Sequence, residues 1–176
     1  MAAAHDALLN ASPWVKRFAP QIPQGSLVLD LACGAGRHAM YLAQQGFSVL
    51  AVDQDVSALE KSRTARVATR SLDLEGDCWP IPDTGFGAIV VTNYLYRPYL
   101  DRLPEMLGKG GLLIYETFAQ GNAQFGKPSN PNFLLNSGEL LALAARHALK
   151  VLAYEDIYTD EPKPAMVQRL CALKEA

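Results

Sequence analysis

The chain has 176 residues, a formal net charge of -2 and a pI of about 5.9, with 49% hydrophobic and 19% charged residues. These values fit one globular domain and exclude a disordered chain, and the even charge balance argues against a general nucleic-acid binder, which needs a basic surface to neutralise phosphates. Three cysteines, Cys33, Cys78 and Cys171, with no C-x-x-C pair, indicate neither a disulfide framework nor a zinc site.

In chain order, Trp14 and Phe18 stand four apart on a predicted N-terminal helix within an extension over residues 1–25. Ser26 to Ala32 is a nearly continuous apolar run, as expected for a strand buried on both faces. Cys33-Gly34-Ala35-Gly36 turns the chain into a helix predicted from Arg37 to Gln45 and stopped by Gly46. Phe47 to Val52 is the second strand and ends at Asp53. Asp55 is placed to cap a short helix reaching about Arg63. Arg66 to Leu72, ending at Asp73, and Phe86 to Thr92 are the third and fourth strands. Lys61, Arg63, Arg66 and Arg70 form a modest basic group, read as a solvated face.

A two-turn helix is expected over Leu100 to Leu107, a turn at Lys109-Gly110-Gly111 and a fifth strand over Leu112 to Thr117. A loop from Ala119 to Asn136, rich in Gly, Asn and Pro, is a candidate lid. Its Asn130-Pro131-Asn132-Phe133 follows the fifth strand. Ser137 is expected to cap a helix through about His147, and Lys150 to Ile157 and Ala165 to Leu173 form an antiparallel pair of strands. Alternation of strand and helix predicts an α/β fold: a Rossmann-like, seven-stranded, mostly parallel sheet with the last strand antiparallel and helices on both faces, in one domain over residues 1–176.

Such sheets bind ligands beyond the carboxyl ends of their strands. Asp30, Asp53, Asp73, Asn93 and Glu116 lie at or near the ends of the first five. Small residues after a buried strand let the backbone approach a ligand, and the following helix offers free N–H groups. The third glycine of a dinucleotide fingerprint is missing, and Asp30 before the turn repels a pyrophosphate but suits a cationic ligand. Asp53, 19 positions after Gly34, suits ribose hydroxyls. Asp73 and the Leu74 N–H suit an adenine edge.

Val28-Leu29-Asp30-Leu31-Ala32-Cys33-Gly34-Ala35-Gly36, Asp53, Asp73 and Lys109-Gly110-Gly111-Leu112-Leu113 resemble the class I S-adenosylmethionine-dependent methyltransferases, with Ala32 where the family commonly has Gly. Gly34-Ala35-Gly36-Arg37-His38 and Asn130-Pro131-Asn132-Phe133-Leu134-Leu135 are similar to small bacterial proteins of the tellurite-resistance type. The resemblance implies S-adenosylmethionine as cofactor, S-adenosylhomocysteine as product, and in-line methyl transfer to a small-molecule acceptor through an O, S, N or metalloid atom. It implies cofactor contacts at Asp30, Ala32, Cys33, Gly34, Gly36, Arg37, Asp53, Gln54, Asp73, Leu74, Asn93 and Tyr94. Tyr96, Arg97 and Glu116 are candidates for the acceptor side, Glu116 as a base.

Two other readings are an RNA or protein methyltransferase and a non-catalytic S-adenosylmethionine-binding protein. His5, His38 and His147 are scattered without supporting ligands, so no metal is expected. The sequence predicts a cytoplasmic protein without a membrane span, as no basic n-region and apolar core opens it and no apolar run is long enough to cross a bilayer.

Overall fold

Seven strands lie in the order β3-β2-β1-β4-β5-β7-β6 in a computed structural model that describes residues 10–61, 64–82 and 85–175. The strands are β1 (Leu27–Leu31), β2 (Ser48–Asp53), β3 (Val67–Ser71), β4 (Phe86–Thr92), β5 (Leu107–Phe118), β6 (Lys150–Thr159) and β7 (Ala165–Leu173). The helices are α1 (Pro13–Phe18), α2 (Arg37–Gln44), α3 (Ser57–Glu60), α4 (Arg102–Met106) and α5 (Glu139–Arg146). β1 pairs in parallel with β2 and β4, β2 with β3, and β4 with β5, while β7 runs antiparallel between β5 and β6. This is the sheet the alternating pattern predicts.

All seven residues of β4 are buried, because helices cover both faces of the sheet at its centre. Side chains alternate across a strand, so each strand feeds two cores. Leu29, Leu31, Val91, Leu113 and Leu170 pack on one face with α4 and α5. Val28, Val90, Ile114 and Cys171 pack on the other with α1 and α2. Trp14 and Phe18 belong to that second core, in edge contact at 4.9 Å, and the Trp14 Nε1–H donates to the Leu170 carbonyl at 3.2 Å.

Several local expectations change. The turn predicted at Lys109-Gly110-Gly111 is an irregularity inside β5, where pairing with β4 shifts between Phe86 and Ala88. A Cβ at Gly111 would lie 2.7 Å from the Phe86 carbonyl oxygen, so only glycine lets the strand continue there. The helix before it is shorter than predicted and is preceded by a 3-10 turn over Arg97–Tyr99. Ser137 does not cap α5: its hydroxyl donates to Asp156 at 2.9 Å, and Gly138 takes the cap position in a left-handed conformation. Buried Gln168 of β7 accepts the Leu140 N–H at 3.2 Å, supplying from the sheet what a local cap would have supplied. The Asp55 carboxylate does accept the Ser57 N–H at 2.9 Å, but α3 ends at Glu60, and Arg63 lies outside the described residues. His5 and the first nine residues of the predicted N-terminal extension lie outside them too.

Candidate functional site

The turn after β1 is fixed from both sides. The Cys33 N–H donates to the Val52 carbonyl at 3.0 Å, and the Gly36 N–H donates to the Cys33 carbonyl at 2.8 Å. Ala32, Gly34 and Gly36 all have positive φ, at 54°, 53° and 82°. A left-handed Ala is strained. Gly34 has nothing within 4 Å of where a Cβ would stand, so its backbone borders open space.

Asp53 locks this turn to the next strand. One carboxylate oxygen accepts the Gly34 N–H at 2.8 Å and the other accepts the Asp55 N–H at 3.2 Å. Each oxygen keeps a second lone pair for a ligand hydroxyl. Gln54 carries the connection onward, its amide donating to Asp73 at 3.2 Å, and the same Asp73 oxygen accepts the Glu75 N–H at 2.9 Å. The structure therefore links Gly34, Asp53, Gln54 and Asp73 in one hydrogen-bonded run across the tips of β1, β2 and β3. Leu74 follows it with a buried side chain.

Asp30 sits beneath the run. Its carboxylate accepts the Ala39 N–H at 2.8 Å, satisfying one of the free donors in the first turn of α2. Burial raises its pKa to about 7, against the lowering effect of that hydrogen bond and of Arg37. Between an ordinary value near 3.8 and about 7, the folded chain holds this proton and the unfolded chain does not, so stability falls as pH rises through that window. Asp30→Asn retains an acceptor for Ala39 and is expected to raise the melting temperature at pH 8 while changing it little at pH 4. Thermal unfolding followed across that pH range checks both halves. Cys33 is also buried, and its thiol is pushed up to about 12, which keeps it protonated and unreactive.

From sequence, His38 reads only as part of the Gly34–His38 motif and as no metal ligand, yet it stitches the site together. Its Nε2 accepts the Ser12 N–H at 3.2 Å, so the ring proton sits on Nδ1 and is shared with the Thr92 hydroxyl at 3.3 Å. Burial, with the Arg37 charge beside it, pushes its pKa down to about 3, so the ring is neutral. The signal was its position one residue before Ala39 and four before Leu42, on the apolar stripe of α2.

Beyond β4, Asn93 takes a φ of 55° and donates its N–H to the Glu116 carbonyl at 2.9 Å. The Tyr115 hydroxyl donates to the Tyr94 carbonyl at 2.8 Å, and the Tyr94 hydroxyl is buried with no protein partner. Around the glycine turn lies a cleft of about 640 Å³, lined by Asn10, Lys16, Ala32–Ala35, Arg37, His38, Tyr41, Thr92 and Asn93 among others. That volume suits a small ligand.

The three acceptor-side candidates are engaged elsewhere. The Arg97 guanidinium makes a two-pronged ion pair with Glu139, at 2.7 and 2.8 Å, and donates to the Asn132 and Leu134 carbonyls, both at 2.8 Å. It acts as a clamp between the β4 exit, the 119–136 loop and α5. Burial works to raise the Glu139 carboxyl, but the Arg97 hydrogen bonds, the Asn136 N–H and the charges of Arg97 and Arg146 together outweigh it, so the clamp stays charged at neutral pH. The loop is further fastened at its neck, where Gln120 and Leu135 donate to the Leu135 and Phe118 carbonyls, each at 2.9 Å. Arg97→Ala is expected to speed proteolytic cutting within residues 119–136, with little change in nucleoside binding, since no strand-tip hydrogen bond passes through it. Limited proteolysis read by mass spectrometry checks this.

Glu116 is ion-paired to Arg169 across the β5–β7 register, and Arg169 also reaches Glu155 at 2.9 Å. The Glu116 carboxylate is therefore occupied by a cation from within the protein. Tyr96 and Tyr99 donate to the Glu75 and Gly76 carbonyls at 3.2 and 2.7 Å, tying down the segment after β3. Asn130 accepts the Asn132 N–H at 3.0 Å, so that tetrapeptide is a turn. Among the described residues no group of three His, Cys, Asp or Glu side chains is placed to hold a metal, and no helix is long and apolar enough to cross a membrane.

Comparison with known proteins adds to this geometry. Residues 28–111 match the model of a methyltransferase domain. The chain is 34% identical over 122 residues to the uncharacterized methyltransferase Rv0089 of Mycobacterium tuberculosis, a match over 65% of this chain and 57% of that protein. The chain thus spans a little over half the length of that relative. Its fold superposes on TehB from Haemophilus influenzae with a TM-score of 0.74 at 21% identity, over 94% of this chain and 63% of that one. It superposes on the 1,6-didemethyltoxoflavin-N1-methyltransferase of Burkholderia thailandensis with a TM-score of 0.71 at 16% identity, over 93% of this chain and 77% of that one. The latter structure holds 1,6-didemethyltoxoflavin and S-adenosylhomocysteine.

Proposed function

We propose that the chain is an S-adenosylmethionine-dependent methyltransferase, a reading supported by the methyltransferase domain matched over residues 28–111 and by the fold it shares with such enzymes, and that it methylates a small-molecule acceptor. The observation that carries the reading is the hydrogen-bonded run from Gly34 through Asp53 and Gln54 to Asp73.

The donor set fits the cofactor. Open space at Gly34 admits a ligand against the backbone, Asp53 retains lone pairs for ribose hydroxyls, and Asp73 with the Leu74 N–H suits an adenine edge. Asp30 places a carboxylate under the turn, and Ala32, Cys33, Gly36, Asn93 and Tyr94 frame the methionine end. Arg37, lining the cleft, suits the methionine carboxylate. When bound, S-adenosylmethionine supplies an already activated methyl group on a cationic sulfur. The work left to the chain is to bind, to orient and to exclude water. Glu116 is ion-paired, Cys33 is protonated and Asp30 is buried beneath the turn, so none of the three is offered to an acceptor, which suits one that is nucleophilic without a base. The size of the cleft and the relative that holds 1,6-didemethyltoxoflavin both support a small acceptor.

Calorimetry with S-adenosylhomocysteine is the first test, and micromolar binding at one site per chain is expected. Tighter binding of a nicotinamide dinucleotide would reject the cofactor. Transfer of labelled methyl into a small-molecule extract, and not into RNA or protein, is the expected result of the second test.

A further inference from the structure

The cleft continues past the glycine turn. Arg37, Met40, Tyr41 and Gln44 recur at three- and four-residue spacing along α2, so they share one face of that helix, and all four line the cleft. From Arg37 to Gln44 this face runs about 10 Å at 1.5 Å per residue. Lys16 of α1 stands across from it, with its ammonium 5.8 Å from the centre of the Tyr41 ring. The near end, by Ala32–Gly34, Thr92 and Asn93, belongs to the strand-tip site, and the far end lies two helical turns away.

The charge of this lining is one-sided. Among the described residues its two charged side chains are Lys16 and Arg37, both cationic, and no described carboxylate lines it. The chain as a whole carries -2, so this positive lining is a local arrangement and not a reflection of composition. Arg37 stands at the near end and gives one N–H to the Asn10 carbonyl at 3.2 Å. Lys16 is therefore the cation of the far end. The ammonium is a compact point charge that suits a carboxylate without demanding a fixed fork geometry. Beside it, the Tyr41 ring and the Met40 thioether offer an apolar wall to a carbon body.

We propose that the far end of the cleft, between Lys16, Met40, Tyr41 and Gln44, is the acceptor subsite and that it selects a small organic anion: a carboxylate carried on an apolar or aromatic body. The proposal rests on the strand-tip site being the cofactor site. It requires no acid or base beyond those described, since Lys16 recognises charge and takes no part in bond making.

The test uses the full chain saturated with S-adenosylhomocysteine, at low ionic strength because an exposed ammonium is screened by salt. The probes are 3-phenylpropionate, its neutral counterpart 3-phenylpropanamide, and inorganic sulfate, each titrated by ligand-observed NMR. The carboxylate is expected to bind about tenfold more tightly than the amide, as a charged hydrogen bond provides. Lys16→Met is expected to abolish that preference and Lys16→Arg to keep most of it, with S-adenosylhomocysteine affinity the same in all three proteins. Equal binding of carboxylate and amide, or a preference that survives Lys16→Met, overturns the proposal alone. Sulfate binding as tightly as the carboxylate overturns the organic body. Failure of S-adenosylhomocysteine to bind overturns the cofactor reading and this subsite with it.

Discussion

Replacing Asp53 with alanine is expected to weaken S-adenosylhomocysteine binding about a hundredfold, the largest loss for any single strand-tip side chain. The carboxylate does two jobs at once. It accepts the Gly34 N–H at 2.8 Å and the Asp55 N–H at 3.2 Å, and in the proposed function its remaining lone pairs serve ribose hydroxyls. Hydrogen bonds to a charged group contribute about 1.5–3 kcal/mol each, so losing about 3 kcal/mol of net interaction corresponds to a factor of about 100. Asp53→Asn is expected to recover only part of this. Both oxygens now face N–H donors, so an amide must turn its own NH2 toward one of them. Calorimetry on the three proteins, with circular dichroism to confirm that each is folded, measures the series. An Asp53→Ala protein that binds as tightly as the parent would remove Asp53 from the site.

Gly36→Ala is expected to cost about 3 kcal/mol of stability, whereas Gly34→Ala costs about 1–2 kcal/mol and instead blocks the ligand. Both glycines are left-handed, and an L side chain there costs about 1–2 kcal/mol. Their surroundings differ. A Cβ on Gly36 would lie 2.4 Å from Leu59 Cδ1 and 2.9 Å from its Cγ, and Leu59 is buried, which adds an overpacking cost of about 1–3 kcal/mol. A Cβ on Gly34 meets nothing within 4 Å and instead occupies space a ligand would use. Urea denaturation and S-adenosylhomocysteine titration should therefore rank the two variants in opposite order. Gly36→Ala combined with Leu59→Ala is expected to regain the overpacking part while adding a cavity cost of its own, and the double-mutant cycle isolates the contact. Equal effects of the two substitutions on both measurements would refute the assignment.

The layout of the site was legible because it follows chain order. A buried strand, a glycine turn and a helix, followed by acids at Asp53 and Asp73, put polar groups at one edge of a parallel sheet whatever the loops do. What each side chain does there was less legible. Arg97 follows β4 and reads as an acceptor ligand, but Glu139 and two loop carbonyls, brought from 35 to 42 residues away, claim its guanidinium. Glu116 reads as a base until the antiparallel register sets Arg169 beside it. Ser137 reads as a cap until Gln168 arrives from the sheet.

Local pattern thus determined the elements, their order, the sheet and the tips at which its acids gather, because strand burial and glycine turns are properties of neighbouring residues. Only the folded chain decided which polar groups are engaged and which are available. Hydrogen-bond and ion-pair partners lie far apart in sequence and meet through strand register and packing. His38 and Lys16 make the point from the other side. Neither was given a role from sequence, and each acquired a place in the cleft when α1 came to rest beside α2.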